Sequence, residues 1–372
     1  MRILLVARHP VGGIRTFLRY IYSQPCFDDL TLTLIAPDEG LGSYLDTHLP
    51  AGRIRLIPVP HSGYALFRAV RSRLSSGDFD LVHSHGFSAG VITQLAMPFS
   101  KLPHLMTAHD VFLERQFAGW KGSLKQWVIA QTFRRIEAVH TVTEEARENF
   151  LHFFPSVETA RVHGILHGVD TEYFASGQAT DHRALYKLDA SVPLIGFFGR
   201  FMAQKGFRDL VDAMALLVAE NRAETLPRVI TFGWGGFIRE DYQYLAEKGL
   251  SDYFIQAPAT DNMAGALKGV DLVAMPSHWE ACGLLAMEAL SAGVPVVGTD
   301  CVGLNEVLQG TPAVRVTLGH PDALAQALLA LMQPRAPERF RQYQPRAIER
   351  FHIQRPARAL RGLYDRLQAV PR

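Results

Sequence analysis

Two cations and two glycines follow a short apolar segment in the second half of the chain. Leu194–Phe198 leads into Gly199-Arg-Phe-Met-Ala-Gln-Lys-Gly206, and a helical pattern begins at Phe207. A diphosphate needs fixed positive charge of this kind, to hold it and to stabilise charge that develops on a leaving group. Loop cations are often ordinary surface charge, but the glycines and the position after a predicted strand favour an anion site formed by Arg200 and Lys205.

A second group of candidate residues surrounds a predicted helix that begins near Leu284. Glu288 is the only charge of this apolar helix, and a lone buried carboxylate costs on the order of several kcal/mol unless it is satisfied. Ribose hydroxyls would satisfy it, and a structural ion pair is the alternative. Glu280 lies in the preceding loop and either binds sugar hydroxyls or complements the helix N-terminus. Gly283 is expected to let a ligand approach the backbone.

The elements that must position these residues alternate between short β-branched segments and longer helical patterns. In the first half the predicted strands are Ile3–Val6, Thr31–Ile35, Ile54–Pro58, Leu81–His83, Leu105–Thr107 and Ala138–Val142. In the second half they are Pro193–Phe198, Arg228–Phe232, Tyr253–Ala257, Leu272–Met275, Val294–Gly298 and Ala313–Val316. Such alternation predicts parallel strands with helical crossovers, arranged as two doubly wound α/β units that meet near Gly168. Because ligands bind beyond the carboxyl ends of such strands, a cleft between the units is the expected site.

Length, charge and cysteine content exclude several classes of protein. A chain of 372 residues suits two cores, and a net charge of +2 gives no support for nucleic acid as a partner. No apolar run is long enough to predict a transmembrane helix, and the short apolar start is interpreted as a buried strand rather than a signal peptide. Cys26, Cys282 and Cys301 are widely spaced, which argues against a disulfide framework and fits a reducing cytosol.

Two basic groups leave a question about the surface open. One comprises Arg53, Arg55, Arg68, Arg71 and Arg73, and the other Lys121, Lys125, Arg134 and Arg135. They are either solvated faces or a surface for an anionic acceptor or a membrane. The second group overlaps a helical segment with three aromatic residues, Trp120, Trp127 and Phe133, which are either core residues or the apolar side of an interfacial helix.

Taken together, the motifs resemble those of the retaining glycosyltransferases of family four, which have the GT-B fold. In the second half the resemblance rests on Gly199-Arg200-x4-Lys205-Gly206, on Gly233-Trp-Gly235-Gly236, and on Glu280 followed eight positions later by Glu288. The first half adds Gly12-Gly13, Val82-His-Ser-His85-Gly86, Thr107-Ala-His109, Val142-Thr-Glu-Glu145 and Leu166-His-Gly168-Val-Asp170. The resemblance covers nearly the whole chain, and it is specific because the motifs share the family's order and spacing.

The resemblance implies a fold and an activity. The fold would be two Rossmann-like doubly wound parallel-sheet domains facing a central cleft, residues 1–168 and 169–349, with a C-terminal helix of about 350–372 packed back on the first. The protein would transfer a hexose-type sugar from a UDP- or GDP-linked donor to a sugar, lipid or polysaccharide-precursor acceptor, with retention of configuration and without a metal or other cofactor. It would act in the cytoplasm in cell-envelope glycan or glycolipid synthesis, with a peripheral contact to the inner face of the membrane as a weaker hypothesis.

The resemblance also implies a role for each site residue. Arg200 and Lys205 would neutralise the donor diphosphate, and Glu288 would hold the ribose. The remaining donor-side residues would be the strand-end glycines Gly199 and Gly233, and, around the transferred sugar, Glu280 with the backbone of Ala281, Cys282, Gly283 and Leu284. From the first domain, His109 would face the sugar, and Gly12 and Gly13 would lie near the phosphates and the acceptor. The implied catalytic residues are His109, Arg200, Lys205 and Glu280.

Two positions depart from the family's pattern, and the route to retention is implied rather than visible. Cys282 replaces an aromatic residue of the sugar loop, which leaves the identity of the sugar open, and His167 stands where Asn is common. Double displacement needs a carboxylate nucleophile beneath the anomeric carbon, and no residue suggests one. The resemblance instead implies a front-face route, in which the leaving phosphate helps to take the acceptor proton.

Several alternatives stay open or are rejected on the residues. A nicotinamide dehydrogenase lacks support because the first turn does not have the G-x-G-x-x-G spacing. An inactive nucleotide-sugar-binding protein and a sugar epimerase on the same fold remain alternatives, whereas a phosphorylase would need a cofactor lysine that is not evident. Asp78-Phe-Asp80 is interpreted as strand-start acids rather than a metal motif. Of His83 and His85, one is expected near the site and neither as a metal ligand.

Overall fold

The computed structural model describes residues 1–98, 100–220 and 225–369. The chain forms two compact units, which we call unit 1 (Met1–His167 with Ile353–Arg372) and unit 2 (Gly168–His352). Residues 370–372 of the predicted C-terminal helix lie outside the described residues.

Unit 1 is built on a parallel sheet. Its described strands are β1 (Arg2–Ala7), β2 (Thr31–Ala36), β3 (Ile54–Pro58), β4 (Leu81–His85), β5 (His104–Ala108), β6 (Ala138–Thr141) and β7 (Val162–Gly164), in the order β3-β2-β1-β4-β5-β6-β7. Its helices before the boundary are α1 (Gly13–Tyr22), α2 (Leu41–His48), α3 (Gly63–Leu74), α4 (Phe87–Ala96), α5 (Gly119–Phe133) and α6 (Glu144–Phe153). The central strands β1, β4 and β5 are buried along nearly their whole length because helices cover both faces of the sheet.

Unit 2 repeats this plan with a second parallel sheet. Its described strands are β8 (Leu194–Phe198), β9 (Arg228–Phe232), β10 (Phe254–Ala257), β11 (Leu272–Met275), β12 (Val296–Thr299) and β13 (Val314–Val316), in the order β10-β9-β8-β11-β12-β13. Its helices are α7 (Thr171–Ser176), α8 (His182–Leu185), α9 (Phe207–Ala219), α10 (Ile238–Glu247), α11 (Met263–Lys268), α12 (Leu284–Ser291), α13 (Leu304–Leu308), α14 (Pro321–Leu331) and α15 (Ala336–Phe351). The last helix, α16 (Gln354–Ala369), belongs to unit 1.

The predicted fold class is confirmed, and each predicted strand overlaps a strand of the structure. β7 was not predicted because it has only three residues, two of them half-buried, which is too short for a periodic pattern. The predicted C-terminal helix of about 350–372 overlaps α16 (Gln354–Ala369), which belongs to unit 1. α15 ends at Phe351, and α16 begins directly after Ile353. Pro356 lies in the first turn of α16, where proline is tolerated.

Candidate functional site

Three loops of unit 2 meet at one edge of its sheet. Because β9, β8 and β11 are neighbours, the loops that follow Phe232, Phe198 and Met275 leave from the same edge. The backbones of the first two are in contact, since the Gly199 amide donates to the Phe232 carbonyl at 2.9 Å. A Cβ atom added at Gly233 would lie 1.9 Å from the Gly199 carbonyl oxygen, so the approach requires glycine.

Gly206 brings the loop after β8 against the loop after β11. Its φ of 65° lies in the left-handed region, and an added Cβ would lie 1.8 Å from the carbonyl oxygen of Pro276. A side chain at this position would therefore clash with the backbone as well as strain it. The contact fixes the position of Lys205, the preceding residue, relative to the end of β11.

Lys205 and Glu280 form an ion pair between these two loops. Lys205 Nζ donates to Glu280 Oε1 at 2.5 Å, and the side chains are 24% and 8% exposed. Ser277 Oγ donates to the same carboxylate oxygen at 2.8 Å. Within the described part of the chain, Glu280 Oε2 accepts no hydrogen bond, so this oxygen is available to a ligand hydroxyl.

Further hydrogen bonds hold the two loops together around this pair. The His278 amide donates to the Gln204 carbonyl at 2.7 Å, and Gln204 Nε2 donates to the Trp279 carbonyl at 2.9 Å. The His278 ring lies 2.6 Å from Asp209 Oδ2, at the first turn of α9. These contacts join the two loops without involving the side chains of Arg200 or Lys205.

Arg200 is positioned differently from Lys205. It directly follows Gly199 at the end of β8, and its side chain is exposed. Among the residues that the structure describes, it has neither a hydrogen bond nor an ion pair from its side chain. A guanidinium placed in this way can turn toward an incoming anion without breaking an existing contact.

The loop and helix after β11 contain three further predicted site residues. An added Cβ at Gly283 would lie 2.6 Å from Leu304 Cδ1, so packing against α13 also favours glycine here, and the approach of a ligand to this backbone stays a prediction. Glu288 lies on the second turn of α12, is half-buried and has an interaction partner. The two interpretations of Glu288, a ribose contact and a structural ion pair, therefore stay predictions. The amide of Leu284, a predicted sugar contact, donates to the Cys282 carbonyl at 2.9 Å.

The remaining predicted site residues belong to unit 1. Gly12 and Gly13 are exposed at the start of α1, where Gly12 has a φ of 54°. His109 follows β5, is partly exposed, and shares a hydrogen bond of 3.1 Å between its Nε2 and His85 Nδ1. Burial, with the neighbouring rings of His85 and others, holds the pKa of His109 well below its usual 6.5, so this ring is neutral at pH 7.

Asp80, His83 and His85, which the sequence analysis did not assign as metal ligands, have other partners in unit 1. Asp80 accepts a hydrogen bond of 2.7 Å from the backbone amide of Arg2, at the edge of β4. His83 and His85 are both buried; His85 is hydrogen-bonded to His109, and His83 is hydrogen-bonded to the Tyr22 hydroxyl. In the described ranges, no group of three or more His, Cys, Asp or Glu side chains has an arrangement that could hold a metal ion.

Sequence reasoning missed the residues that orient Glu280 and its loop. Ser277 and His278 lie within three positions of Glu280, but serine and histidine in a loop give no signal of their partners. Asp209 gave a weak signal that it belongs to the site, because it is an acid in the first turn of the helix that follows the candidate cation Lys205.

Two parallel-sheet α/β units, with the motifs described above, define a class of protein, and comparison with known proteins identifies it. The family model for "Glycosyltransferase Family 4" matches residues 11–173, and that for "Glycosyl transferases group 1" matches residues 192–334. The two matches follow one another and together include most of the chain. The chain belongs to the family 4 glycosyltransferases.

Individual relatives are similar over part of their length. The D-inositol 3-phosphate glycosyltransferase of Nocardia farcinica is 28% identical over 280 residues, which cover 71% of this chain and 61% of that protein. The alpha-maltose-1-phosphate synthase of Mycobacterium tuberculosis H37Rv is 28% identical over 285 residues, which cover 70% of this chain and 72% of that protein. The chain thus spans less than two thirds of the length of the first relative.

Solved structures share the fold over nearly the full length. Anabaena HepE in complex with UDP-glucose superposes with a TM-score of 0.83 at 19% identity, covering 98% of this chain and 100% of that one. WaaG, a glycosyltransferase involved in lipopolysaccharide biosynthesis, has a TM-score of 0.74 at 18% identity, covering 96% and 98%. The fold of the chain is therefore GT-B.

Proposed function

We propose that this protein is a retaining glycosyltransferase that takes a hexose-type sugar from a UDP- or GDP-linked donor. The acceptor would be a sugar, a lipid or a polysaccharide precursor in cell-envelope glycan or glycolipid synthesis. The observation that carries the proposal is the ion pair between Lys205 and Glu280 at the meeting point of the loops after β8 and β11. We assign the ammonium group of this pair to a phosphate of the donor and the carboxylate to its sugar.

The two oxygens of Glu280 suit two tasks. Oε1 is held by Lys205 and Ser277, so the carboxylate and the ammonium group orient each other before a donor binds. Oε2 is left for a hydroxyl of the transferred sugar. A bound diphosphate would share Lys205 with Glu280 and draw in the exposed Arg200, and both cations would stabilise the charge that develops on the leaving nucleoside diphosphate.

The other roles complete the proposed donor site. Glu288 would accept hydrogen bonds from the ribose, and the backbone of Ala281, Cys282 and Gly283 would border the sugar. In unit 1, the neutral ring of His109 would contact the sugar, and Gly12 and Gly13 would lie by the phosphates and the acceptor. With no carboxylate nucleophile assigned, the phosphate that leaves would accept the acceptor's proton as the new bond forms on the same face.

A panel of nucleotide sugars tests the proposal. A donor that binds only the folded protein raises its melting temperature, and a UDP- or GDP-sugar is expected to do so more than the same sugar without a nucleotide. The donor identified in this way is then incubated with acceptors, and the anomeric configuration of the product is read by NMR. Binding without transfer or release of nucleoside diphosphate would favour an inactive binding protein, and an inverted product would contradict retention.

A membrane contact of unit 1 is a second proposal, carried by α5. Four apolar side chains at helical spacing are exposed on this helix: Trp120 (75%), Leu124 (54%), Trp127 (61%) and Val128 (51%). This excludes the interpretation of the two tryptophans as core residues, although Phe133 is fully buried and does not join the face. Lys121 and Lys125 lie on the same helix, which contains no acid, so the occupant we propose is an anionic lipid surface.

Vesicle sedimentation at low salt tests this contact. Wild-type protein is expected to bind vesicles that contain anionic phosphatidylglycerol, and Trp120→Ser with Trp127→Ser to lose most of that binding. Trp234→Ser is the matched control, because Trp234 is equally exposed but belongs to unit 2. Equal binding by all variants, or association with a second copy of the chain instead of vesicles, would contradict the proposal. In the described part of the chain, no helix is long and apolar enough to span a membrane.

A further inference from the structure

A continuous chain of hydrogen bonds runs from the partly exposed His109 into the interior of unit 1. Its members, in order, are His109, His85, Tyr22, Tyr364, His83, Thr107 and His140. Four are imidazoles and three are hydroxyls, so each member can donate and accept. Tyr364 lies on α16, which ties the chain of hydrogen bonds to the last helix of the protein.

The outer half of the chain has one long link. His109 Nε2 lies 3.1 Å from His85 Nδ1, and His85 Nε2 lies 3.4 Å from the Tyr22 hydroxyl. The Tyr22 and Tyr364 hydroxyls are 2.9 Å apart. The hydrogen bond between His85 and Tyr22 is the longest and therefore the weakest of the chain. If it broke, the tautomers of the outer and inner halves would no longer be coupled.

The inner half has shorter links. The Tyr364 hydroxyl lies 2.6 Å from His83 Nδ1, which the Tyr22 hydroxyl also approaches at 3.1 Å. His83 Nε2 lies 2.6 Å from Thr107 Oγ1, which lies 2.9 Å from His140 Nδ1.

All four imidazoles are neutral at pH 7. Burial lowers the pKa of His85 to about 3 and the pKa of His140 to about 4. Burial also holds the pKa values of His83 and His109 well below 6.5. A neutral imidazole carries one hydrogen, so each ring donates with one nitrogen and accepts with the other.

Thr107 couples the tautomers of His83 and His140. If both rings donated to Thr107, the hydroxyl hydrogen of Thr107 would have no acceptor among the described residues. If both rings accepted, the single hydroxyl hydrogen of Thr107 would have to form two hydrogen bonds. One ring must donate and the other accept. Since the ring atoms involved are Nε2 of His83 and Nδ1 of His140, both rings then carry the hydrogen on the same type of nitrogen.

The two tyrosines couple His83 to His85 in the same way. If His83 Nδ1 and His85 Nε2 both accepted, the phenolic oxygens 2.9 Å apart would face each other with no hydrogen between them. If both donated, one phenolic hydrogen would be left without an acceptor. A buried polar group without a partner costs about 1–3 kcal/mol, so the two arrangements in which both rings accept or both rings donate are disfavoured. In each of these arrangements His83 and His85 would have different tautomers. The direct link between His85 and His109 continues the pattern.

We propose that His83, His85, His109 and His140 share one tautomer, so that buried residues decide the hydrogen-bonding character of His109. The shared tautomer is either Nδ1–H in all four rings or Nε2–H in all four. Because Nε2 of His109 is engaged by His85, Nδ1 is the nitrogen left for a ligand, and it is a donor in the first case and an acceptor in the second. His85 is a positioning residue. The consequence for sugar transfer rests on the proposed function, whereas the shared tautomer does not.

NMR of donor-free protein labelled with 15N-histidine tests the proposal at pH 7. Two-bond 1H–15N correlations report which ring nitrogen carries the hydrogen. His104 is an internal reference outside the chain, since its Nδ1 lies 2.7 Å from the Gln94 amide oxygen, which can only accept. The four rings are expected to show the hydrogen on the same type of nitrogen. A hydrogen on Nδ1 in one of them and on Nε2 in another would overturn the proposal.

A variant pair tests the coupling itself. His85→Phe removes the partner of His109, and His109 is expected to show intermediate shifts from exchanging tautomers while His83 and His140 still match. His104→Phe removes a buried histidine outside the chain and should leave all four rings unchanged. An unaltered tautomer of His109 in His85→Phe would contradict the coupling. Donor binding is measured separately by thermal shift, so failure of the proposed function and failure of this inference are told apart.

Discussion

The surroundings of His109 in unit 1 and of Lys205 in unit 2 have opposite electrostatic character. In unit 1 the side chains around His109 are neutral imidazoles and hydroxyls bonded to one another. In unit 2 the loops around Lys205 carry formal charges, in the pair with Glu280 and in an exposed Arg200. In the proposed function the cations of unit 2 bind the diphosphate, whereas the neutral His109 contributes a hydrogen bond without added charge. The same type of sheet thus carries a charged cluster in one unit and a neutral, hydrogen-bonded cluster in the other.

The first test of this comparison is a fall in pH, which has the largest expected effect. It should lower the folding stability of unit 1 and leave that of unit 2 unchanged. Burial lowers the pKa of His85, His104 and His167 to about 3 and that of His140 to about 4. Below the ordinary pKa of 6.5 the unfolded state binds protons that the folded unit does not. Each such histidine therefore lowers the stability by up to about 1.4 kcal/mol per pH unit as the pH falls from 6.5 toward these values.

Hydrogen exchange measures this difference within one molecule. Between pH 7.5 and pH 5, after correction for the intrinsic exchange rate, the amides of β5 and β6 should lose protection, and those of β8 and β9 should keep it. Unit 2 is the internal control. Parallel loss in both units would show that the buried histidines are not the cause.

The second test removes the charges of unit 2. Lys205→Ala and Arg200→Ala are each expected to lower the turnover of sugar transfer by roughly 100- to 1,000-fold, because a preorganised group that stabilises developing charge contributes about that much. Melting temperature should confirm that both variants fold. Lys248→Ala is the control, since Lys248 pairs with Asp212 in the same unit. Near-wild-type turnover in both variants would refute the proposed role of the cations.

The third test concerns the backbone that holds Lys205 in place. Gly206→Ala should lower the free energy of unfolding by about 2 kcal/mol or more, from left-handed strain of about 1–2 kcal/mol together with the clash against Pro276. Gly249→Ala is matched in backbone, with a φ of 70°, but an added Cβ there meets nothing within 4 Å. Urea titration of both variants isolates the clash. Equal destabilisation would mean that the loops are not held in contact.

The sequence predicted the sheets better than the contacts. Strands such as Leu194–Phe198 are continuous apolar runs that only a buried strand explains, whereas β7 is too short to leave a pattern. Lys205 and Glu280 were each predicted, but their ion pair joins loops 75 residues apart and depends on β8 lying beside β11.

The chain of hydrogen bonds around His109 was less predictable still. His83, His85 and His109 stood out as residue types in motifs, but nothing in the sequence links them to Tyr364, 281 positions beyond His83. Likewise, Gly283 was predicted as a point where a ligand approaches the backbone, but nothing in the sequence indicated that it also packs against Leu304. Packing between elements distant in sequence decides such features, and a local pattern does not report it.

The central claim is that the cations at the end of β8 bind a diphosphate, and calorimetry of nucleotide binding tests it most directly. Wild-type protein titrated with the nucleoside diphosphate and monophosphate of the preferred base should bind the diphosphate at least tenfold more tightly. Lys205→Ala should abolish most of that preference while leaving the affinity for the monophosphate nearly unchanged. Equal affinities for the two nucleotides in the wild type, or an undiminished preference in Lys205→Ala, would contradict the account.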